Sequence, residues 1–142
     1  MGKRLSNNAI RKAGDNLKLQ KATREDLDAI STFRSSHIQL MKMLVKTISK
    51  KLPKPLFIAR RLKRLSSIQA KLQRFEGMSL DRMQDIGGVR AVFKNNNEVR
   101  QFVKNIQDVY CSKRSVLEIV KENDYITNPK ADGYRSYHIV FK

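Results

Sequence analysis

Residues 56–75, LFIARRLKRLSSIQAKLQRF, follow Pro53 and Pro55 and can be read in two ways. As one continuous helix, Lys63, Ser67 and Lys71 stack at i, i+4 and i+8 on a single face. As a strand over 56–63 followed by a helix, Ser66 caps the helix with Gln69 as its capping-box partner. Arg61 and Lys63 then point to one face of the strand. The strand-then-helix reading is preferred. Either way the same cations and one hydroxyl gather on one side.

The neighbours of this stretch sort readily. Upstream, TREDLDAISTFRSSHIQLMKMLVKTISKKL (23–52) is predicted to be a helix, with Leu27, Ile30, Phe33, Leu40, Leu44 and Ile48 at helical spacing. Thr23 can cap it with Asp26 three residues on, and acids crowd its first turn. His37 reads as a packing or surface histidine. Residues 1–22 are basic and polar, with Gly14 interrupting any helix. They are expected to be loosely ordered or to add a short helix.

Downstream, MQDIGGVRAVFK (83–94) places a double glycine, Gly87 and Gly88, at the start of a strand through Phe93. Residues 96–110 form a helix with Val99, Phe102, Val103, Ile106, Val109 and Tyr110 on its apolar face. Strands are predicted over 115–121 and 136–141. The order is a helical arm, then β-α-β-α-β, a loop and a last β. The expected class is α/β or α+β, a mixed sheet with flanking helices. Residues 1–54 form the basic arm and 55–142 the sheet-bearing domain.

Composition narrows the function. Thirty Lys and Arg against 13 Asp and Glu give a net charge of +17 in 142 residues. Residues 1–71 carry 18 of the cations and only 4 of the acids. Such a surface attracts polyanions, whether nucleotides or RNA. Solubility alone would also account for it. One cysteine, Cys111, excludes an internal disulfide framework and suits a reducing cytoplasm. It falls on a helical pattern and is expected to be a small buried residue. No apolar run reaches membrane-spanning length, so no membrane partner is expected.

Three clusters could carry chemistry. Arg61, Lys63, Ser67 and Lys71 resemble a triphosphate cradle at a helix start, although a solvated basic face has the same spacing. It is not a Walker A loop, since GxxxxGK[ST] is nowhere present. Asp85 stands before the double glycine, where a carboxylate beside a phosphate cradle would take Mg²⁺. A turn-forming aspartate is the plainer reading. Arg90, five residues on, could face the same site. The third cluster is NDYITNPKADGYRSYHIVFK (123–142). It combines Tyr134 for stacking with Lys130, Arg135 and His138 for phosphate or sugar oxygens.

Taken in order, RLKRLSSIQAKL, DIGGVRAVF and DYITNPKADGYRSYHIVF resemble the synthetase domain of the RelA/SpoT family. FRSSH and RFEGMSLDRMQDIGG resemble its small, often phage- or prophage-associated members. The resemblance implies a nucleotidyltransferase-like fold and a pyrophosphokinase moving the β,γ-pyrophosphate of ATP to the 3′-hydroxyl of GDP or GTP, giving (p)ppGpp. It implies Arg61 and Arg90 around adenine, and Lys63, Ser67 and Lys71 on the ATP phosphates. Asp85 would bind Mg²⁺ as the catalytic acid, Tyr134 would stack on the acceptor guanine, and Lys130 and His138 would line the acceptor side.

Two departures stand out. Asn123 replaces a lysine that many relatives place before DYI, removing a positive contact. Relatives also carry a second essential acid in an ExQxRT-like segment beyond the YHIVF strand. The expectation is therefore a fragment or a truncated synthetase. With His37 and His138 the only histidines, a paired-ligand hydrolase is not expected either. Two other readings remain: a toxin-like enzyme that pyrophosphorylates the 3′ end of tRNA, favoured by the charge, and a non-catalytic nucleotide- or RNA-binding module.

Overall fold

The computed structural model describes residues 4–112 and 114–142. Among the described residues it is a mixed α/β chain of four helices, one 3-10 turn and four strands. In order these are α1 (Asn7–Lys18), α2 (Arg24–Lys50), β1 (Phe57–Leu62), α3 (Leu65–Arg74), the 3-10 turn Leu80–Arg82, β2 (Gly87–Val92), α4 (Asn96–Tyr110), β3 (Ile119–Asp124) and β4 (Tyr137–Phe141). The chain condenses into two compact units. One holds residues up to Leu44 with Arg60–Val89, the other Val45–Ala59 with Arg90–Lys142.

In the first unit, Ile10, Ala13 and Leu17 of α1, Ile30 of α2, and Ile68 and Leu72 of α3 bury together with Leu80, Met83 and Ile86. Gly14 does not interrupt α1. It lies inside the helix, where an added Cβ would sit 2.6 Å from Leu80 Cβ, so glycine serves close packing here. Ser6 starts α1 by accepting a hydrogen bond from Ala9 N at 3.1 Å. Arg11 forks onto Asp81 (Nη2–Oδ2 2.8 Å, Nε–Oδ1 3.3 Å), tying α1 to the 3-10 turn.

The start of α2 follows the predicted pairing. Thr23 Oγ1 accepts from Asp26 N at 3.2 Å, and Asp26 Oδ2 accepts from Thr23 N at 2.9 Å. His37 packs edge-on against Phe33, with ring centroids 4.9 Å apart.

Strand-then-helix is the observed form of residues 56–75, but its cap differs from expectation. The helix begins at Leu65 with Arg64 at the N-cap and no side-chain cap bond. Ser66 therefore falls inside the first turn. Gln69 reaches away instead, donating to Leu17 O at 3.1 Å, and Gln73 donates to Lys18 O at 3.2 Å. Lys18 O is one of the carbonyls that the end of α1 leaves without an intrahelical partner, while Leu17 O also accepts from Gln20 N at 3.1 Å.

β1 and β2 pair antiparallel, with Lys63 N donating to Ile86 O and Leu56 N to Val92 O, both at 2.7 Å. β3 and β4 form a second antiparallel ladder, with Asn123 opposite His138 and Asp124 opposite Tyr137. Among the described residues the strands thus pair as two ladders of two.

β3 begins later than its β-branched content suggests. Residues 115–117 turn back on themselves through Ser115 N to Ser112 O and Leu117 N to Ser115 Oγ. Pairing with β4 then carries the strand into the polar END segment.

In the second unit, Phe102, Val103 and Ile106 of α4 are buried, Phe93 rests on Phe102 at 4.7 Å, and Tyr110 meets Phe141 at 4.9 Å. Cys111 is exposed, because it comes after the last turn of α4 rather than lying on its apolar face.

Candidate functional site

Lys63 leaves β1 with its backbone held on both sides. Its N–H donates to Ile86 O, and its carbonyl accepts from Arg34 Nε of α2 at 2.9 Å. Lys71 lies two turns along α3 from the same strand end. Both ammonium groups converge on one carboxylate: Lys63 Nζ is 2.9 Å from Asp85 Oδ2, and Lys71 Nζ is 2.8 Å from Asp85 Oδ1. Burial pushes the Asp85 carboxyl up, but hydrogen bonds and charge from Lys71 and Lys63 outweigh it and hold the group below the usual carboxylate range.

The start of β2, two residues beyond Asp85, fixes where that carboxylate sits. At Gly87 a Cβ would stand 3.1 Å from both His37 Cβ and Met41 Sδ of α2, so the absence of a side chain lets β2 start hard against that helix.

Lys63, Ser67, Ala70, Lys71, Arg74 and Phe75 line a cleft of about 310 Å³. The structure thus brings together Lys63, Ser67, Lys71 and Asp85, four residues that the sequence separates by up to 22 positions. The cleft also includes Arg74, whose guanidinium lies 5.3 Å from the centre of the Phe75 ring. That pair was not singled out from sequence, although their adjacency to the cradle was visible. Arg61, on β1, is exposed and has no ion-pair partner among the described residues.

The second unit carries the aromatic loop. Asp124, at the end of β3, accepts from the backbone N–H groups of Ile126 and Thr127, both at 3.0 Å, and from Arg100 Nη1 at 3.1 Å. Those bonds, led by Thr127, keep Asp124 ionised far below its ordinary range. Further on, Gly133 N donates to Lys130 O at 2.8 Å and Lys130 N to Tyr134 O at 3.1 Å. Gly133 takes a φ of +83°, which a side chain would disfavour.

The tight turn returns Tyr134 over β4, where its hydroxyl lies 2.9 Å from His138 Nε2. Tyr125 meets Tyr134 at 6.2 Å and His138 at 5.1 Å, both edge-on. Lys130 Nζ sits 4.7 Å from the Tyr125 ring centre and 5.2 Å from that of Tyr134. Burial, then the charges of Lys130 and Arg90, press the His138 pKa below its ordinary value.

Lys130, Tyr134 and His138 are therefore assembled, and Arg90 is near enough to act on the histidine. Tyr125, which opens the same stretch and was given no role of its own from sequence, is a further member of the cluster. Arg135 is exposed and does not join the cluster.

Chemically, the first site offers two cations, a hydroxyl and a carboxylate, and the second offers stacking faces with a cation and an imidazole. A single half-exposed carboxylate suits Mg²⁺, which takes one or two protein oxygens and completes its shell with phosphate and water. Among the described residues no three His, Cys, Asp or Glu side chains cluster into a self-sufficient metal cage. Among those same residues, no helix is long and apolar enough to cross a membrane.

Residues 60–142 match the family described as the region found in RelA / SpoT proteins. The GTP pyrophosphokinase YjbM of Bacillus subtilis is 36% identical over 88 residues, which cover 59% of this chain and 38% of that protein. The crystal structure of small alarmone synthetase 2 from Bacillus subtilis superposes with a TM-score of 0.64 at 26% identity, covering 82% of this chain and 61% of that one. Small alarmone synthetase 1 from the same organism, bound to its product pppGpp, gives 0.61 at 25% identity, covering 76% and 58%. The chain thus spans 38% of the length of its curated relative and about three-fifths of these two solved chains.

Proposed function

This chain belongs to the family of the region found in RelA and SpoT proteins, and from that membership we propose that it is a (p)ppGpp synthetase-type pyrophosphotransferase. It moves the β,γ-pyrophosphate of ATP to the 3′-hydroxyl of GDP or GTP. On this reading residues 1–54 are a basic arm, 55–142 the synthetase portion, and the location is cytoplasmic.

The observation that carries the proposal is the convergence of Lys63 and Lys71 on Asp85 beside Ser67, in a cleft large enough for a triphosphate. The lysines and the Ser67 hydroxyl bind phosphate oxygens, and Arg61 lies against adenine. Asp85 holds the magnesium ion, which when bound offsets the charge that builds on the phosphates during transfer. In the aromatic cluster, Tyr134 stacks on the acceptor guanine while Lys130 neutralises its phosphates. His138, hydrogen-bonded to the Tyr134 hydroxyl, fixes the angle of that ring. Its depressed pKa keeps the imidazole neutral at physiological pH, able to accept as well as donate.

The relatives support this reading in their own names. One is called a GTP pyrophosphokinase, and another was solved with pppGpp.

The test is transfer of label from γ-³²P-ATP with Mg²⁺ to GDP, GTP or bulk tRNA, by the chain and its Asp85→Asn variant. Label on a guanine nucleotide that Asp85→Asn abolishes bears the proposal out. Label on tRNA alone would move it to the RNA-directed reading. Transfer to no acceptor, with nucleotide still bound, would leave a binding module.

A further inference from the structure

Resting on the function proposed above, we propose that Arg100 of α4 is a positioning residue for the acceptor nucleotide, pinning the first turn of the 124–136 loop and with it the Tyr125 ring. Its Nη1 donates to Asp124 Oδ2 at 3.1 Å and its Nη2 to Thr127 Oγ1 at 2.7 Å. The Thr127 hydroxyl in turn donates to Asp124 Oδ2 at 2.7 Å, which closes a ring of hydrogen bonds through the three side chains. A planar guanidinium can reach both ends of the turn at once, whereas an ammonium offers a single point of charge.

The alternation of β3 explains why the hold comes from α4. Neighbouring strand residues point to opposite faces, and residues paired across the ladder share one. Asp124 faces the same way as its partner Tyr137, and Asn123 the same way as His138. On the first face, Glu122 Oε1 accepts from Gln107 Nε2 at 2.8 Å and from the Tyr137 hydroxyl at 3.1 Å. Gln107 stands two turns along α4 from Arg100, so one side of that helix holds both carboxylates. His138, with Tyr125 and Tyr134 packed edge-on against it, lies on the opposite face.

The turn does not need Arg100 for its shape. Asp124 Oδ1 accepts from the N–H groups of Ile126 and Thr127, both at 3.0 Å, and Asp124 O accepts from Asn128 N at 3.2 Å. These bonds are local and form the turn from within. What Arg100 adds is attachment of that turn to α4. Tyr125 lies inside the turn, its N–H donating to Ser136 O at 2.9 Å, and its ring meets His138 at 5.1 Å and Lys130 Nζ at 4.7 Å. A turn released from α4 would carry that ring out of register with Tyr134 and His138.

A bare positive charge at this place would instead draw in the acceptor phosphates, and two probes separate the roles. Calorimetric titration uses GDP, guanosine (which has no phosphate) and Mg·ATP as a control. Arg100→Met should weaken GDP and guanosine alike, by about two- to fivefold, the scale of an ion pair whose arginine is 45% exposed. Mg·ATP affinity should not change. Arg100→Lys keeps the charge without the fork and should remain impaired toward both probes.

Methionine favours a helix about as well as arginine does, so α4 should persist, and circular dichroism melts check that it does. Loss of affinity for GDP alone, or full recovery in Arg100→Lys, would assign Arg100 to phosphate attraction and overturn the inference. Equal weakening of Mg·ATP, or a melt well below wild type, would make Arg100 a residue of the fold and overturn it too. So would GDP and guanosine affinities that Arg100→Met leaves unchanged. A wild-type chain that binds neither GDP nor guanosine overturns the function proposed above, and the inference with it. That result is distinct from acceptor binding that is indifferent to Arg100.

Discussion

Arg34 Nε donates to the carbonyl of Lys63 at 2.9 Å, linking the middle of α2 to the residue that leaves β1 for the phosphate cleft. The bond is partly buried and spans 29 positions of sequence. With Lys63 N bonded to Ile86 O on the other side, the backbone of Lys63 is held in place, which fixes the point from which its side chain reaches the cleft. Arg34 is therefore a positioning residue for the cleft. A hydrogen bond from a charged donor is worth about 1.5–3 kcal/mol, and 1.4 kcal/mol is tenfold in affinity. Arg34→Gln should weaken Mg·ATP binding about tenfold while leaving acceptor affinity unchanged. Equal loss toward both nucleotides would show that the substitution acts on the fold at large.

Tyr125 and Lys130 invite a second substitution. The ammonium lies 4.7 Å from the Tyr125 ring centre and 5.2 Å from Tyr134, so two aromatic faces hold it. Such contacts contribute about 0.5–1 kcal/mol when exposed and more when shielded. Tyr125→Leu should raise the KM for the acceptor roughly fivefold with little change in kcat, an effect of about 1 kcal/mol. Tyr125→Phe should restore it, since the ring rather than the hydroxyl makes the contact. Steady-state kinetics on the pair settle the matter. Equal effects of Leu and Phe would assign the role to the hydroxyl.

Much of this was legible because it depends on near neighbours in sequence. The Thr23–Asp26 cap, the turn at Gly133 and the strand-then-helix form of residues 56–75 are set by residues within a few positions. The grouping of Lys63 and Lys71 with Asp85 was legible from residue types and from the resemblance, but the ion pairs between them were not, since the same spacing also suits an exposed face. What stayed hidden depends on distant partners. Nothing local in GDNLK says that Gly14 will meet Leu80, or that Gln69 will serve the end of α1 and leave Ser66 uncapped. The Arg34 bond to a backbone carbonyl leaves no trace in composition or periodicity. Cys111 was misread because one residue past a helix end is enough to leave its buried face.

Gly14 gives a stability prediction of settled sign. Alanine gains about 1 kcal/mol over glycine from helix propensity alone. Against that, its Cβ would lie 2.6 Å from the Cβ of Leu80, a fully buried side chain held close to its backbone. Overpacking of this kind typically costs about 1–3 kcal/mol, and neither partner is a flexible chain end that could swing aside. Gly14→Ala should therefore lower the urea midpoint, by the equivalent of at most about 2 kcal/mol, with an unchanged m-value. A raised midpoint would mean that α1 and the 3-10 turn part more readily than their packing implies.

The Arg11–Asp81 fork sets a pH dependence. The hydrogen bond from Arg11 lowers the Asp81 carboxyl from 3.8 to about 2; burial opposes it, while the Ser79 hydroxyl and the Arg11 charge assist. A carboxyl depressed in the folded state binds fewer protons there than in the unfolded chain between those two values. Its stabilisation is thus complete above pH 3.8 and is lost as pH falls through about 2. Asp81→Asn should unfold at lower urea than wild type at neutral pH, and the two should converge as pH drops across that window. The gap should also narrow in high salt, because Arg11 is 49% exposed and its charge is open to screening. A gap that held constant from neutral pH to pH 2 would mean that Asp81 stabilises by shape and neutral hydrogen bonding rather than by its charge.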